Sequence, residues 1–130
     1  FSFEGLRLLL AEDNAINMEI ASELLREQGV AVTQAWNGAE AVARFREAAP
    51  FTYDAVLMDM QMPVMDGCEA ARKIRELERA DAGTTPIIAV TANAFAEDVA
   101  ATAAAGMNAH ISKPIDFTAL RQALERLLRT

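Results

Sequence analysis

The chain has 130 residues, 52% of them hydrophobic, with a formal net charge of −7 and a single cysteine. That length suits one domain with one core, able to fold without metals or disulfides; the single Cys68 cannot form an internal disulfide, which fits a reducing, cytoplasmic setting. The acidic balance argues against nucleic-acid binding through this segment, and apolar runs far short of the roughly 20 residues of a membrane span argue against direct membrane contact.

Taken in chain order, apolar runs of strand length alternate with stretches of helical period, the pattern of βαβ units around a parallel sheet. Leu6 to Ala11 predicts a first strand, followed by Glu12-Asp13. A helix capped by Asp13 or Asn14 then turns Ile16, Ile20 and Leu24 inward until Gly29 ends it. Val30 to Ala35 predicts the second strand. Asn37-Gly38 would suit a hairpin, but the helical spacing of Ala39, Val42 and Phe45 makes it a loop into a second helix ending near Pro50.

Tyr53 to Met58 predicts a third strand that runs into Asp59 and the loop Met60-Gln-Met-Pro-Val-Met-Asp-Gly67. Ala70, Ile74 and Leu77 mark the third helix, and Asp81 to Pro86 a loop. Ile87 to Val90 is the fourth strand, ending on Thr91. Phe95, Val99 and Thr102 mark a fourth, alanine-rich helix that stops at Gly106; its thin apolar face makes it the least firmly anchored. Ala109 to Ser112 is a fifth strand that ends on Lys113-Pro114. Asp116 caps a last helix whose Leu120, Leu124, Leu127 and Leu128 face inward. No linker, repeat or transmembrane stretch interrupts this order, so residues 1–130 form a single domain, and the start at Phe1 rather than Met suggests one excised from a longer chain.

Packing explains poorly why strands end on Glu12-Asp13, Asp59, Thr91 and Lys113. In an open parallel α/β sheet, ligands bind just beyond the carboxyl ends of the strands, so three acids, a hydroxyl and an amine would meet at one edge. Two like charges about 4 Å apart cost roughly 1 kcal/mol in water and about 4 kcal/mol at an effective dielectric of 20, so the acids invite a divalent cation. All-oxygen ligands with room for water suit Mg²⁺. Zinc does not fit, because His110 is the single histidine and Cys68 lies on another element. Met58, Met60, Met62 and Met65 are soft ligands without His or Cys beside them, and core filling accounts for them.

A carboxylate beside Mg²⁺ can act as a nucleophile toward phosphorus, giving an aspartyl phosphate, and Lys113 could then hold one phosphoryl oxygen as a point charge while the Thr91 hydroxyl donates to another. Such chemistry needs positioning and electrostatics more than a general base.

Glu12-Asp13-Asn14, Leu57-Met-Asp59-Met-Gln-Met-Pro63 with Asp66-Gly67, Thr91-Ala92 and Lys113-Pro114 resemble, over nearly the whole chain, the receiver domain of two-component response regulators. The wording is most like receivers of hybrid sensor histidine kinases, which share the type of Glu12 to Asn17, of Pro86 to Asn93, and of Gly106-Met-Asn108 with Lys113-Pro-Ile115. The resemblance implies an α/β, flavodoxin-like, doubly wound sheet of five parallel strands in the order 2-1-3-4-5, with five helices in three layers. It implies that Asp59 accepts a phosphoryl group from phosphohistidine and that Glu12, Asp13, Asp59 and the Gln61 backbone carbonyl hold Mg²⁺. Lys113 then contacts the phosphoryl group, Thr91 moves to meet it, Gln61 and Asn93 tune its lifetime, and Lys113-Pro114 is cis.

The partners implied are a histidine kinase dimerisation domain or a histidine phosphotransfer domain, and the domain acts as a phosphorylation-controlled switch rather than a turnover enzyme. Two departures stand out. Ala15 replaces the proline common after the acidic triplet, and His110 replaces the aromatic residue of the usual switch. On the first helix, Ala15, Met18, Ser22 and Leu25 form a second stripe beside the site, the expected docking surface for the helical partner.

Two rival readings share the architecture. A Mg²⁺-dependent phosphatase with an Asp nucleophile places a second Asp two residues on as general acid, where this chain has Gln61. A flavodoxin-like nucleotide-binding module needs a phosphate cradle after strand one, where Glu12-Asp13 would repel phosphate.

Overall fold

In the computed structural model, which describes residues 1–92 and 96–128, strands and helices alternate throughout: β1 (Arg7–Ala11), α1 (Ala15–Glu27), β2 (Ala31–Ala35), α2 (Gly38–Glu47), β3 (Ala55–Asp59), α3 (Gly67–Glu76), β4 (Ile87–Thr91), α4 (Ala96–Ala104), β5 (Ala109–Ser112) and α5 (Phe117–Leu128). The five strands form one parallel sheet in the order β2-β1-β3-β4-β5. Asn93, Phe95 and the Val99 side chain lie outside the described residues.

The two-residue period of the strands separates two cores. Leu9, Val56, Met58, Ile87 and Ala89 point to the side covered by α2 and α3, where Phe45, Ala70, Ala71 and Ile74 meet them. Leu8, Leu10, Leu57, Ile88 and Val90 point the other way, toward Met18 and Leu25 of α1 and Leu120 and Leu124 of α5. Each of the larger of these side chains, fully buried, contributes roughly 1.5–3 kcal/mol against exposure. The result is three layers, helices on both faces of one sheet.

Helix starts follow the expected chemistry. Asn14, Asn37 and Asp66 each accept a backbone N–H three residues on, from Asn17, Glu40 and Glu69, satisfying amides that the first turn leaves free. Asn37-Gly38 is thus a helix start rather than a hairpin. Asp116 accepts from the Thr118 amide at the head of α5. Among the inward leucines expected there, Leu120 and Leu124 are fully buried while Leu127 and Leu128 cover the core edge.

The rotation of α1 differs from the sequence expectation. Met18, Ser22 and Leu25 are fully buried, while Ile16, Ile20 and Leu24 are 68%, 53% and 40% exposed. At about 100° per residue the two stripes lie on opposite sides of the helix. The more hydrophobic stripe is the outer one. Backbone connections set the rotation: the Asn14 amide donates to Glu12 Oε2 at 3.3 Å, and the Gln28 and Val30 amides both donate to the Leu25 carbonyl where the chain turns into β2. Ser22 fits the buried side because its hydroxyl accepts from Gln34 Nε2 at 3.0 Å and donates to Met18 Sδ. Met18, Ser22 and Leu25 are therefore core, not a docking surface, and only Ala15 of that stripe is exposed.

Candidate functional site

The hydrogen-bond ladder brings the acids together. Ala11 of β1 pairs with Met58 of β3, so Glu12-Asp13 and Asp59 leave adjacent strands at the same level. Asp59 in turn pairs with Val90, and Thr91 with Ser112, which sets Thr91 and Lys113 at the same edge. The Lys113 amide donates to the Thr91 carbonyl at 2.8 Å.

One carboxylate oxygen from each of Glu12, Asp13 and Asp59 lies within 4.8 Å of the others. Asp59 is 2% exposed and Glu12 6%, while Asp13 is open to solvent. Burial of like charges in this way needs a cation, and the structure supplies one from the protein: Lys113 Nζ lies 2.9 Å from Asp59 Oδ2 and 3.2 Å from Glu12 Oε1. Burial pulls the Lys113 ammonium toward a lower pKa, but its hydrogen bonds and attraction to Asp59 and then Glu12 outweigh that, and the net shift is upward. Lys113 is therefore firmly charged at neutral pH.

The other oxygen of Asp59 is also held. Asp59 Oδ1 accepts from the Gln61 amide at 3.1 Å, which ties the loop after β3 to the carboxylate. Gly67 closes that loop: its amide donates to the Met60 carbonyl at 3.2 Å, and a Cβ there would sit 2.3 Å from the Asp59 carbonyl oxygen. The Asp-Gly pair of the sequence is thus a cap followed by a close approach. Lys113-Pro114 is cis, as the resemblance implies.

Thr91 is nearly buried at the end of β4. His110 is half-buried on β5 and lines a groove of about 570 Å³ that also includes Met107, Ala119 and Arg126. It stands away from the acids, on the side where α4 and α5 flank β5. Cys68 is half-buried against the α2–α3 core, and Met58 and Met62 are buried within it, with Met60 and Met65 packed on its edge.

A second cavity joins the site to α1. About 330 Å³ in volume, it is lined by Asp59, Lys113 and Pro114 on one side and by Ile20, Ala21 and Leu24 on the other. Sequence reasoning missed this, since it had turned Ile20 and Leu24 into the core. It also missed Arg75, whose guanidinium donates to the carbonyls of Gly106, Ala82 and Thr85 and to Asn108 Oδ1. The only sequence signal was the Gly106-Met-Asn108 wording.

The donor set suits Mg²⁺: all oxygen, three carboxylates, one of them exposed enough to leave room for water. A doubly wound sheet that gathers paired acids, a hydroxyl and a lysine at its carboxyl edge defines a phosphoryl-accepting class of domain. The chain belongs to the response regulator receiver domain family, whose profile matches residues 8–125.

Comparison with known proteins agrees. The chain is 39% identical over 121 residues to hybrid signal transduction histidine kinase L of Dictyostelium discoideum, covering 92% of this chain and 7% of that protein. It is 38% identical over 132 residues to probable histidine kinase 2 of Oryza sativa subsp. indica, covering 93% of this chain and 13% of that protein. It therefore corresponds to one small segment of each. Among solved structures, it is similar to the receiver domain of a sensor histidine kinase from Pseudomonas aeruginosa PAO1, crystallised with magnesium in its active site cleft: 38% identity, TM-score 0.84, 97% of this chain and 99% of that one. It is also similar to the receiver domain of the Saccharomyces cerevisiae response regulator Ssk1, crystallised with the histidine phosphotransfer protein Ypd1: 29% identity, TM-score 0.82, 98% of this chain and 91% of that one.

Proposed function

We propose that Asp59 is the phosphoryl acceptor of this receiver domain, that Glu12, Asp13, Asp59 and the Gln61 carbonyl hold Mg²⁺, and that the donor is a phosphohistidine on a histidine kinase dimerisation domain or a phosphotransfer domain. The observation that carries this reading is the placement of Lys113 between the buried carboxylates of Asp59 and Glu12. Asp59 is the most buried of the three acids, already paired with a cation and oriented by the Gln61 amide.

The steps follow from those contacts. A carboxylate oxygen of Asp59 attacks phosphorus, the P–O bond forms, and the P–N bond to the donor imidazole breaks. Lys113 exchanges its contact with Asp59 Oδ2 for a phosphoryl oxygen, and the Thr91 hydroxyl donates to another. When bound, Mg²⁺ supplies neutralisation of charge on the transferring group. The product carries roughly one to two added negative charges, which draw the Thr91 loop inward and bias α4 and β5, with His110 between α4 and α5 as the second switch position. In this reading Gln61 and Asn93 tune how long the phosphoryl group persists.

The partner's docking surface is the exposed stripe Ile16, Ile20 and Leu24 rather than the opposite face. Large exposed apolar side chains in a row mark an interaction site, and this row borders the cavity that opens onto Asp59. The similarity to histidine kinases supports a hybrid kinase as the parent, with this domain on its cytoplasmic side; among the described residues no helix is long and apolar enough to cross a membrane.

The test is phosphoryl transfer. With Mg²⁺ and a phosphohistidine donor, the domain should acquire a base-labile, acid-stable label, and Asp59→Asn should acquire none. Undiminished labelling of Asp59→Asn would refute the assignment.

A further inference from the structure

The Asn37-Gly38 pair does more than begin α2. The Gly38 amide donates to the Met65 carbonyl at 3.0 Å, and a Cβ on Gly38 would lie 2.2 Å from that oxygen, 2.9 Å from the Met65 carbonyl carbon and 3.0 Å from the Met65 Cβ. The obstacle is mostly backbone, so no side-chain rotation relieves it. Helix propensity alone favours alanine over glycine at a helical position by about 1 kcal/mol. The close approach, not the helix, requires glycine here.

Met65 belongs to the loop that carries Gln61. That loop is tied at its start by the Met60 amide to the Val90 carbonyl at 3.1 Å and by the Gln61 amide to Asp59 Oδ1 at 3.1 Å. At its end, the Gly67 amide returns to the Met60 carbonyl. Between these ties Met65 rests on the first turn of α2 through Gly38, so a push at Met65 is passed along a short closed loop to Gln61.

We infer that Gly38 is a positioning residue for the metal half of the site: its missing side chain seats the 60–66 loop on α2 and so keeps the Gln61 backbone in register with Asp59. This rests on the metal-dependent reading above. The heavy atoms nearest a Cβ on Gly38 all belong to Met65, so Gly38 acts on the site through Met65.

The experiment is a Mg²⁺ titration of the unphosphorylated domain followed by amide NMR, on wild type, Gly38→Ala and Gly83→Ala. Gly83 is the control, because a Cβ there meets nothing within 4 Å. Gly38→Ala should weaken Mg²⁺ about tenfold, the loss typical when the support of a metal ligand is removed, while Gly83→Ala binds as wild type does. In phosphorylation from a small phosphodonor, Gly38→Ala should need about tenfold more Mg²⁺ and approach the wild-type rate at saturation. A second readout does not depend on the variant folding: in wild type, the Gly38 amide should shift with the same apparent Kd as the Gln61 amide. Wild-type affinity in folded Gly38→Ala, or a Gly38 amide indifferent to Mg²⁺, would overturn the inference while leaving the site intact. Wild-type Glu12, Asp13 and Gln61 amides that all ignore Mg²⁺ would overturn both.

Discussion

Arg75 Nη2 donates to Asn108 Oδ1 at 2.8 Å, and the same oxygen accepts the Ile87 amide at 2.8 Å. One side-chain oxygen thus ties the end of α3 to the start of β4 and the turn that leads into β5. The other guanidinium nitrogens hold the carbonyls of Gly106, Ala82 and Thr85, so the far end of the sheet from the acids is clamped. Asn108→Ala removes the shared acceptor and strands a β4 amide and one arm of the guanidinium. The expected loss is about 1–3 kcal/mol in urea unfolding; a change within about 0.3 kcal/mol, near the scatter of such additive comparisons, would show that water replaces the contact.

On the reading proposed above, the two faces of α1 separate docking from folding. Ile20→Glu should slow phosphoryl transfer from a phosphorylated partner and leave labelling by acetyl phosphate unchanged, with stability near wild type because Ile20 is 53% exposed. Met18→Glu buries a charge at a position with no exposure and should cost about 3–5 kcal/mol or prevent folding. Equal transfer rates for Ile20→Glu and wild type would remove the outer stripe as the docking surface.

Acid sensitivity should have an identifiable source at Asp81. Burial pushes the Asp81 carboxyl up, but hydrogen bonds from the Arg79 side chain and the Phe51 amide, together with the Arg79 charge, take it net below the usual carboxylate range. A folded-state pKa below the unfolded one gives stability that is present above the unfolded value, about 3.9, and is lost as pH falls through the lower folded value. The stability difference between wild type and Asp81→Asn, from urea melts at fixed pH, should therefore be constant above about pH 5 and shrink below about pH 4. A gap independent of pH would show that the carboxylate charge contributes nothing there.

Val64 has φ of 69° and is 82% exposed, a β-branched side chain in the left-handed region with little packing to hold it. Its conformation costs on the order of 1–2 kcal/mol. Val64→Asn, which tolerates that backbone, should raise stability by about 1 kcal/mol, seen as a higher urea midpoint at unchanged m-value. A lower midpoint would mean that the valine makes contacts that outweigh its backbone strain.

Element order and the site acids were legible because both are written locally. Strand-length apolar runs ending on Glu12, Asp59, Thr91 and Lys113 need only the rule that parallel strands share one carboxyl edge. The α1 rotation was not legible, because two apolar stripes compete and hydrophobicity ranks Ile16, Ile20 and Leu24 above Met18, Ser22 and Leu25. What decides between them is the path of the backbone into and out of the helix, and a partner for the Ser22 hydroxyl on β2. The contacts of Gly38 and Arg75 were hard to read for a related reason. Their partners, Met65 for one and Gly106 and Asn108 for the other, are distant in sequence, and neither pairing leaves a periodic trace.

The register of β1 on β3 carries a consequence for how the chain assembles. Asp59 lies 47 residues after Glu12 in sequence, and it meets Glu12 and Asp13 through the pairing of Ala11 with Met58. Sheet formation is therefore also an act of charge compression, in which the mutual repulsion of three carboxylates is offset by Lys113, just beyond β5. The domain stores that repulsion as a standing appetite for positive charge.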